Sequence, residues 1–163
     1  IGAFERTLLT PSRFDKFMDG DVTALYREEK AGLKIFIDAG CVSCHNGVGI
    51  GGGTLSQFGI YTDYRTLTHS RLDDEGRLLV TGENADRDVF KVPGLRNVDK
   101  TYPYFHDGSI ASLDSSIQIM AKAQLNKTLS GEEVRNIVAF LKTRAGDIRE
   151  EAKKIPDELK VIK

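Results

Sequence analysis

Tryptophan is absent from this chain of 163 residues, and cysteine, methionine and histidine number only two, two and three. Long apolar runs are missing too. No stretch approaches the roughly 18 uninterrupted apolar residues that a membrane span needs, and the opening IGAFERTLLT has neither a long apolar run nor a small-residue cleavage site after it. Neither sign of charge dominates: the formal net charge is −1, and basic residues alternate with acidic ones. That balance leaves no electrostatic case for nucleic acid or for an anionic lipid surface. What remains, 40% hydrophobic and 29% charged, is the composition of one ordinary soluble globular domain.

Glycine is plentiful, with 16 residues, and much of it lies between Gly40 and Gly59. The middle of the chain is therefore expected to be loop-rich and the ends helical. Ile1 to Leu9 reads as part of a helix that begins without a cap and is stopped by Thr10 and Pro11. Leu25 to Ala39 carries Leu33, Phe36 and Ile37 on one face, and Gly40 stands where a helix-terminating glycine belongs. From Gly47 to about Tyr104 the sequence is irregular, with turn signals at GVGIGGG, LDDEGR and TGENAD. A loop region of that length needs something other than secondary structure to organise it. Helical patterning returns over 112–124, with Leu113, Ile117, Met120 and Ala121 in one stripe. Ser130 and Glu133 then form an S-x-x-E capping box ahead of Val134, Ile137, Val138 and Leu141. The tail from Asp147 is dense in charge.

Both cysteines fall in one segment, GCVSCHNGVGIGGG, with a histidine directly behind the second. A disulfide between Cys41 and Cys44 would close only a tiny loop and could not organise the long irregular stretch. Structural zinc normally takes four protein ligands, and no second paired motif is present. A thioredoxin-type dithiol belongs at a helix start after a strand, whereas here a helix precedes the motif. The C-x-x-C-H pattern reads instead as c-type haem attachment: Cys41 and Cys44 add to the two vinyl groups, and the His45 imidazole reaches the iron. The macrocycle then supplies the core that a loop-rich chain without tryptophan lacks.

The sixth iron position decides whether such a site transfers electrons or binds a small molecule. Four residues are candidates. Met18 in FDKFMDG reads as a packing methionine, and His69 sits among polar residues. His106 in TYPYFHDGS is flanked by aromatics, and Met120 lies in the apolar stripe of a helix. Spacing alone leaves His106 and Met120 level.

GCVSCHNGVGIGG, DEGR, VFKVPGLRNVDKTYPYFHDGSIASLDSSIQIMAKAQL and EEVRNIVAFLKT occur in that order, preceded by AFERTLLTPSRFDKFMDGD. Together they resemble the C-terminal half of the bacterial dihaem cytochrome c peroxidases, over nearly the whole chain apart from the tail. The resemblance implies an all-α, cytochrome c-like, loop-rich domain organised around one haem c. It divides the chain into an interdomain linker over 1–24, a haem domain over 25–146 and a charged tail over 147–163. His45 and Met120 become the axial pair, which breaks the tie, and His106 becomes a haem-pocket residue. Arg96 falls in a block near the haem, either as a propionate contact or as a plain surface arginine. Thr101 and Pro103 match backbone ligands of a calcium ion that also takes a ligand from the other domain.

The same resemblance implies a periplasmic protein whose partners are a small donor cytochrome c or cupredoxin and an N-terminal peroxidatic haem domain, with a homodimer as the assembly. A related branch, similar to the enzyme that matures tryptophan tryptophylquinone, uses tyrosine as an axial ligand on one haem; methionine at 120 argues against it. Only one C-x-x-C-H is present, and in the family the peroxide-reacting haem sits on another. No catalytic residue for peroxide cleavage is therefore expected in this chain. The alternatives are a stand-alone monohaem carrier and a haem-based ligand-sensing module.

Overall fold

The computed structural model describes residues 8–148 and 150–154. Its frame is a crossing of two helices. Helix α2, Arg27–Ala39, begins with the Glu29 carboxylate accepting from the Tyr26 N–H at 2.7 Å and ends on Gly40, which is left-handed at φ +96°. Helix α6, Gly131–Lys142, begins with the Ser130/Glu133 capping box seen in the sequence. The two meet at Gly32. A Cβ there would overlap the Asn136 carbonyl oxygen and lie 2.9 Å from the Phe140 Cβ, so only glycine permits so close a crossing.

That approach also sets which face of α2 is inside. Gly32, Phe36 and Ala39 are buried with Glu29, whereas Ile37, expected on the apolar stripe, is 49% exposed. Phe36, Phe140, Ile137, Leu141, Phe14, Leu25 and Ile50 form the core. Phe140 is fully buried and meets Phe14 and Phe36 at ring-centroid distances of 5.3 and 5.4 Å. Each such burial contributes on the order of 2–3 kcal/mol.

Helix α1, Arg13–Met18, follows the N-cap Ser12, whose hydroxyl and N–H both bond Asp15. It sends Phe14 into the core, and the Phe14 N–H donates to the Thr143 carbonyl at 3.2 Å. Thr10 and Ser12, ahead of this helix, are buried as well. The helix expected over 1–9 lies outside the described residues except for Leu8 and Leu9, and the tail beyond 154 lies outside them altogether.

The irregular middle contains a two-stranded antiparallel sheet, β1 Leu55–Gln57 and β2 Val89–Lys91, with Ser56 opposite Phe90. Between the strands come α3, Tyr64–Thr68, and α4, Leu78–Thr81. Helix α5, Leu113–Leu125, is capped by Ser112 and ends on left-handed Asn126; it packs against α3 and α6. A last turn, α7, spans Glu150–Lys153. The described fold is mostly helical with two short strands. Among the described residues no helix is long and apolar enough to cross a membrane.

Candidate functional site

Gly40 turns the chain out of α2 directly into a 3-10 turn, Cys41–Ser43. The Cys41 carbonyl accepts from the N–H of Cys44 at 3.3 Å and of His45 at 2.9 Å, so two thiols and an imidazole are held within one tight turn. The Ser43 hydroxyl donates to the Gly40 carbonyl at 2.7 Å, and the Asn46 amide donates to Val42 at 3.2 Å, which closes the turn from both sides. Both thiols are free rather than joined to each other. Burial pushes the Cys41 thiol up to about 11, the opposite of the lowered value that an active redox dithiol needs.

Burial also lowers the His45 pKa, with the backbones of Ile50 and Pro93 partly offsetting it, which favours the neutral ring that ligates metals. Its Nδ1 is buried without a hydrogen-bond partner, unusual for an imidazole that serves packing alone. The ring stands 6.3 Å from that of Phe36. Gly51 comes close to the ring as well: at φ +117°, a Cβ there would overlap the Pro93 carbonyl and lie 3.2 Å from Nδ1. Two thiols beside a neutral imidazole fit covalent haem attachment.

Met120 is half-buried on α5. The far end of this helix reaches the motif. Leu125 would meet a Cβ on Gly40 at 3.8 Å, and Lys127 donates to the Asp38 carbonyl at 3.1 Å. His106 is engaged elsewhere. Its ring stacks on Phe90 at 4.2 Å and 22°, stands edge-on to Tyr64 at 5.5 Å, and places Nε2 3.8 Å from Asp74. Phe58 stacks on Tyr64 at 4.2 Å, so Phe58, Tyr64, Phe90, Phe105 and His106 form one aromatic wall. His69 is exposed on a left-handed turn after α3. Met18, read as a packing residue, is instead 66% exposed.

Arg96 bonds within the protein through both Nη atoms: Nη1 to the Thr10 carbonyl and Asp15, Nη2 to Asp15 and the Val48 carbonyl. Arg144, 2% exposed and over the Phe14 ring, donates to the same Val48 carbonyl at 3.0 Å. Local spacing does not announce this pair, whose partners are far away along the chain. Thr101 and Pro103 lie on an exposed loop, and among the described residues no group of three or more His, Cys, Asp or Glu could hold a metal ion.

Residues 29–145 match the family model described as Cytochrome c. The chain is 48% identical over 148 residues to the cytochrome c551 peroxidase of Nitrosomonas europaea, covering 90% of this chain and 43% of that protein. It is 44% identical over 149 residues to the cytochrome c551 peroxidase of Pseudomonas aeruginosa, covering 90% and 42%. The chain therefore spans less than half the length of the curated relatives it matches. A crystal structure described as a MauG-like protein associated with microbial copper homeostasis superposes with a TM-score of 0.70 at 26% identity, over 90% of this chain and 56% of that one. The fold, the C-x-x-C-H turn and these matches together place the chain in the cytochrome c family, related to the bacterial cytochrome c peroxidases, and that membership implies a covalent haem c and haem electron transfer.

Proposed function

We propose that this chain is the electron-transferring domain of a bacterial dihaem cytochrome c peroxidase, taking electrons from a small donor cytochrome or cupredoxin in the periplasm and relaying them to a peroxidatic haem on a preceding domain. The observation that carries the reading is the half-buried His45, its Nδ1 shut off from solvent, in the C-x-x-C-H turn of a chain 48% identical to a cytochrome c551 peroxidase. When bound, the haem supplies a one-electron ferric/ferrous couple.

Cys41 and Cys44 would hold the group covalently. His45, beside Phe36 and Gly51, would ligate its iron. Met120 on α5 would offer the second protein ligand, a neutral thioether that favours the reduced state and so suits the site to accept electrons. The commitment of His106 to the aromatic wall supports Met120 over His106 for that role. Thr101 and Pro103 would offer two carbonyls to a calcium ion whose other ligands come from elsewhere.

Peroxide cleavage falls to the preceding domain, which in this reading holds the peroxide-reacting haem and the general acid-base help worth roughly 10² to 10⁴-fold. The test is kinetic. Mixed with a reduced small cytochrome c, the ferric holoprotein should be reduced rapidly while turning over hydrogen peroxide no faster than a free haem peptide. Robust peroxide turnover by the chain alone, or no reduction by any such donor, would refute the assignment.

A further inference from the structure

Gln124 stands four residues after Met120 on α5, on the same helix face. Its amide reaches out of the helix to the segment that follows β1. Oε1 accepts from the N–H of Gly59 at 2.6 Å and of Ile60 at 3.3 Å, and Nε2 donates to the Gln57 carbonyl at 2.9 Å. Beside it, the Ala123 carbonyl accepts from the Tyr61 N–H at 2.8 Å. One side chain thus acts as a peptide group would in a sheet, and it satisfies two donors and an acceptor at once.

The segment so gripped is itself fixed. Gly59 sits at φ +91°, where a Cβ would lie 2.9 Å from the Thr62 carbonyl oxygen and 3.1 Å from the Tyr64 nitrogen. Phe58 is stacked on Tyr64, which is 1% exposed. On its other side α5 is held by Leu125 against Gly40 and by Lys127 on the Asp38 carbonyl. The helix is therefore suspended between the C-x-x-C-H turn and the aromatic wall, and Gln124 makes the side-chain tie to the wall. A methionine side chain has three rotatable bonds and lends no rigidity of its own. Where its sulfur rests depends on where its helix rests.

We propose that Gln124 is a positioning residue for the sixth iron ligand, locking α5 to residues 57–60 so that Met120 stays in place. The inference rests on the reading of Met120 as that ligand. An apolar residue at 124 would strip partners from Gly59, Ile60 and Gln57, and α5 would loosen next to Met120 while the core built on Phe36 and Phe140 stayed intact.

Added imidazole competes for the sixth position and so reports how firmly it is held. The ferric holoproteins of the unaltered chain, Met120→Ala, Gln124→Leu, Gln124→Glu and Gln118→Ala are titrated with imidazole by absorption. Phe14→Leu, which removes the ring contact with Phe140 in the core and leaves the Gln124 hydrogen bonds in place, is added as a stability control. Gln124→Leu should bind imidazole about tenfold more tightly than the unaltered chain, the effect of losing one or two hydrogen bonds. Gln124→Glu, which keeps both acceptor contacts but has no donor for Gln57, should fall between them. Exposed Gln118→Ala and destabilised Phe14→Leu should match the unaltered chain.

Unchanged affinity in Gln124→Leu, or an equal rise in Phe14→Leu, overturns the proposal. If Gln124→Leu yields no holoprotein, Gln124→Glu decides alone, and unaltered affinity in it is the refuting result. Met120→Ala that binds imidazole no more tightly than the unaltered chain would show instead that the ligand itself is wrongly assigned.

Discussion

Arg96 grips Asp15 through two parallel hydrogen bonds, Nη1 to Oδ2 at 2.8 Å and Nη2 to Oδ1 at 2.9 Å, across 81 positions of sequence. The pair ties α1 to the loop that follows β2. Asn97 also donates to the Thr10 hydroxyl at 3.0 Å and accepts from the Gly146 N–H at 2.9 Å, so one side chain joins the segment ahead of α1 to the segment that follows α6.

The Arg96 hydrogen bond holds the Asp15 carboxyl well below the usual carboxylate range, with Ser12 adding to the effect against the cost of burial. A depressed folded pKa contributes stability that is fully present above the unfolded value, about 3.9, and is lost as pH falls through the folded one. Asp15→Asn should therefore lower the urea midpoint at pH 7, and its gap from the unaltered protein should close progressively below about pH 4. A gap that stays constant down to pH 2 would contradict this.

Gly32→Ala tests the helix crossing. Alanine gains about 1 kcal/mol in intrinsic helix propensity over glycine, yet its Cβ would strike the Asn136 carbonyl and Phe140. Overpacking costs about 1–3 kcal/mol, so the expected net effect is a lower urea midpoint. A raised midpoint would mean that α2 and α6 are further apart than described.

Gly51→Ala and Gly52→Ala separate backbone strain from steric contact with the site. Both glycines have positive φ, +117° and +86°, but a Cβ on Gly52 meets nothing within 4 Å whereas one on Gly51 meets Pro93 and His45. Gly52→Ala should cost about 1 kcal/mol and leave the haem spectrum unchanged. Gly51→Ala should lower holoprotein yield and shift the reduction potential. Equal spectra and potentials in the two variants would remove Gly51 from the account.

Covalent attachment has its own check. Haem should stay with the chain through acidified acetone or denaturing electrophoresis, and the double variant Cys41→Ala with Cys44→Ala should release it. Release from the unaltered protein would end the c-type reading.

What was legible in the sequence is what local spacing encodes. Gly40 as a helix terminator, the Ser130/Glu133 capping box and the C-x-x-C-H turn each depend on residues within a few positions of one another. What was not legible depends on pairs brought together from far apart. Ile37 fits the apolar stripe of α2, but the close approach at Gly32 rotates Phe36 inward and leaves Ile37 outside. The ring contacts of His106 with Phe90 and Tyr64 join three separate segments, and spacing alone does not announce them. Gln124 carries no motif, and its partners at 57–60 lie more than 60 residues away along the chain.

The ferric optical spectrum of the purified holoprotein tests the central claim most directly. With His45 and Met120 on the iron it should be low-spin and carry the weak red sulfur-to-iron charge-transfer band, and Met120→Ala should abolish that band. A high-spin ferric spectrum, or a band that survives Met120→Ala, would contradict the account.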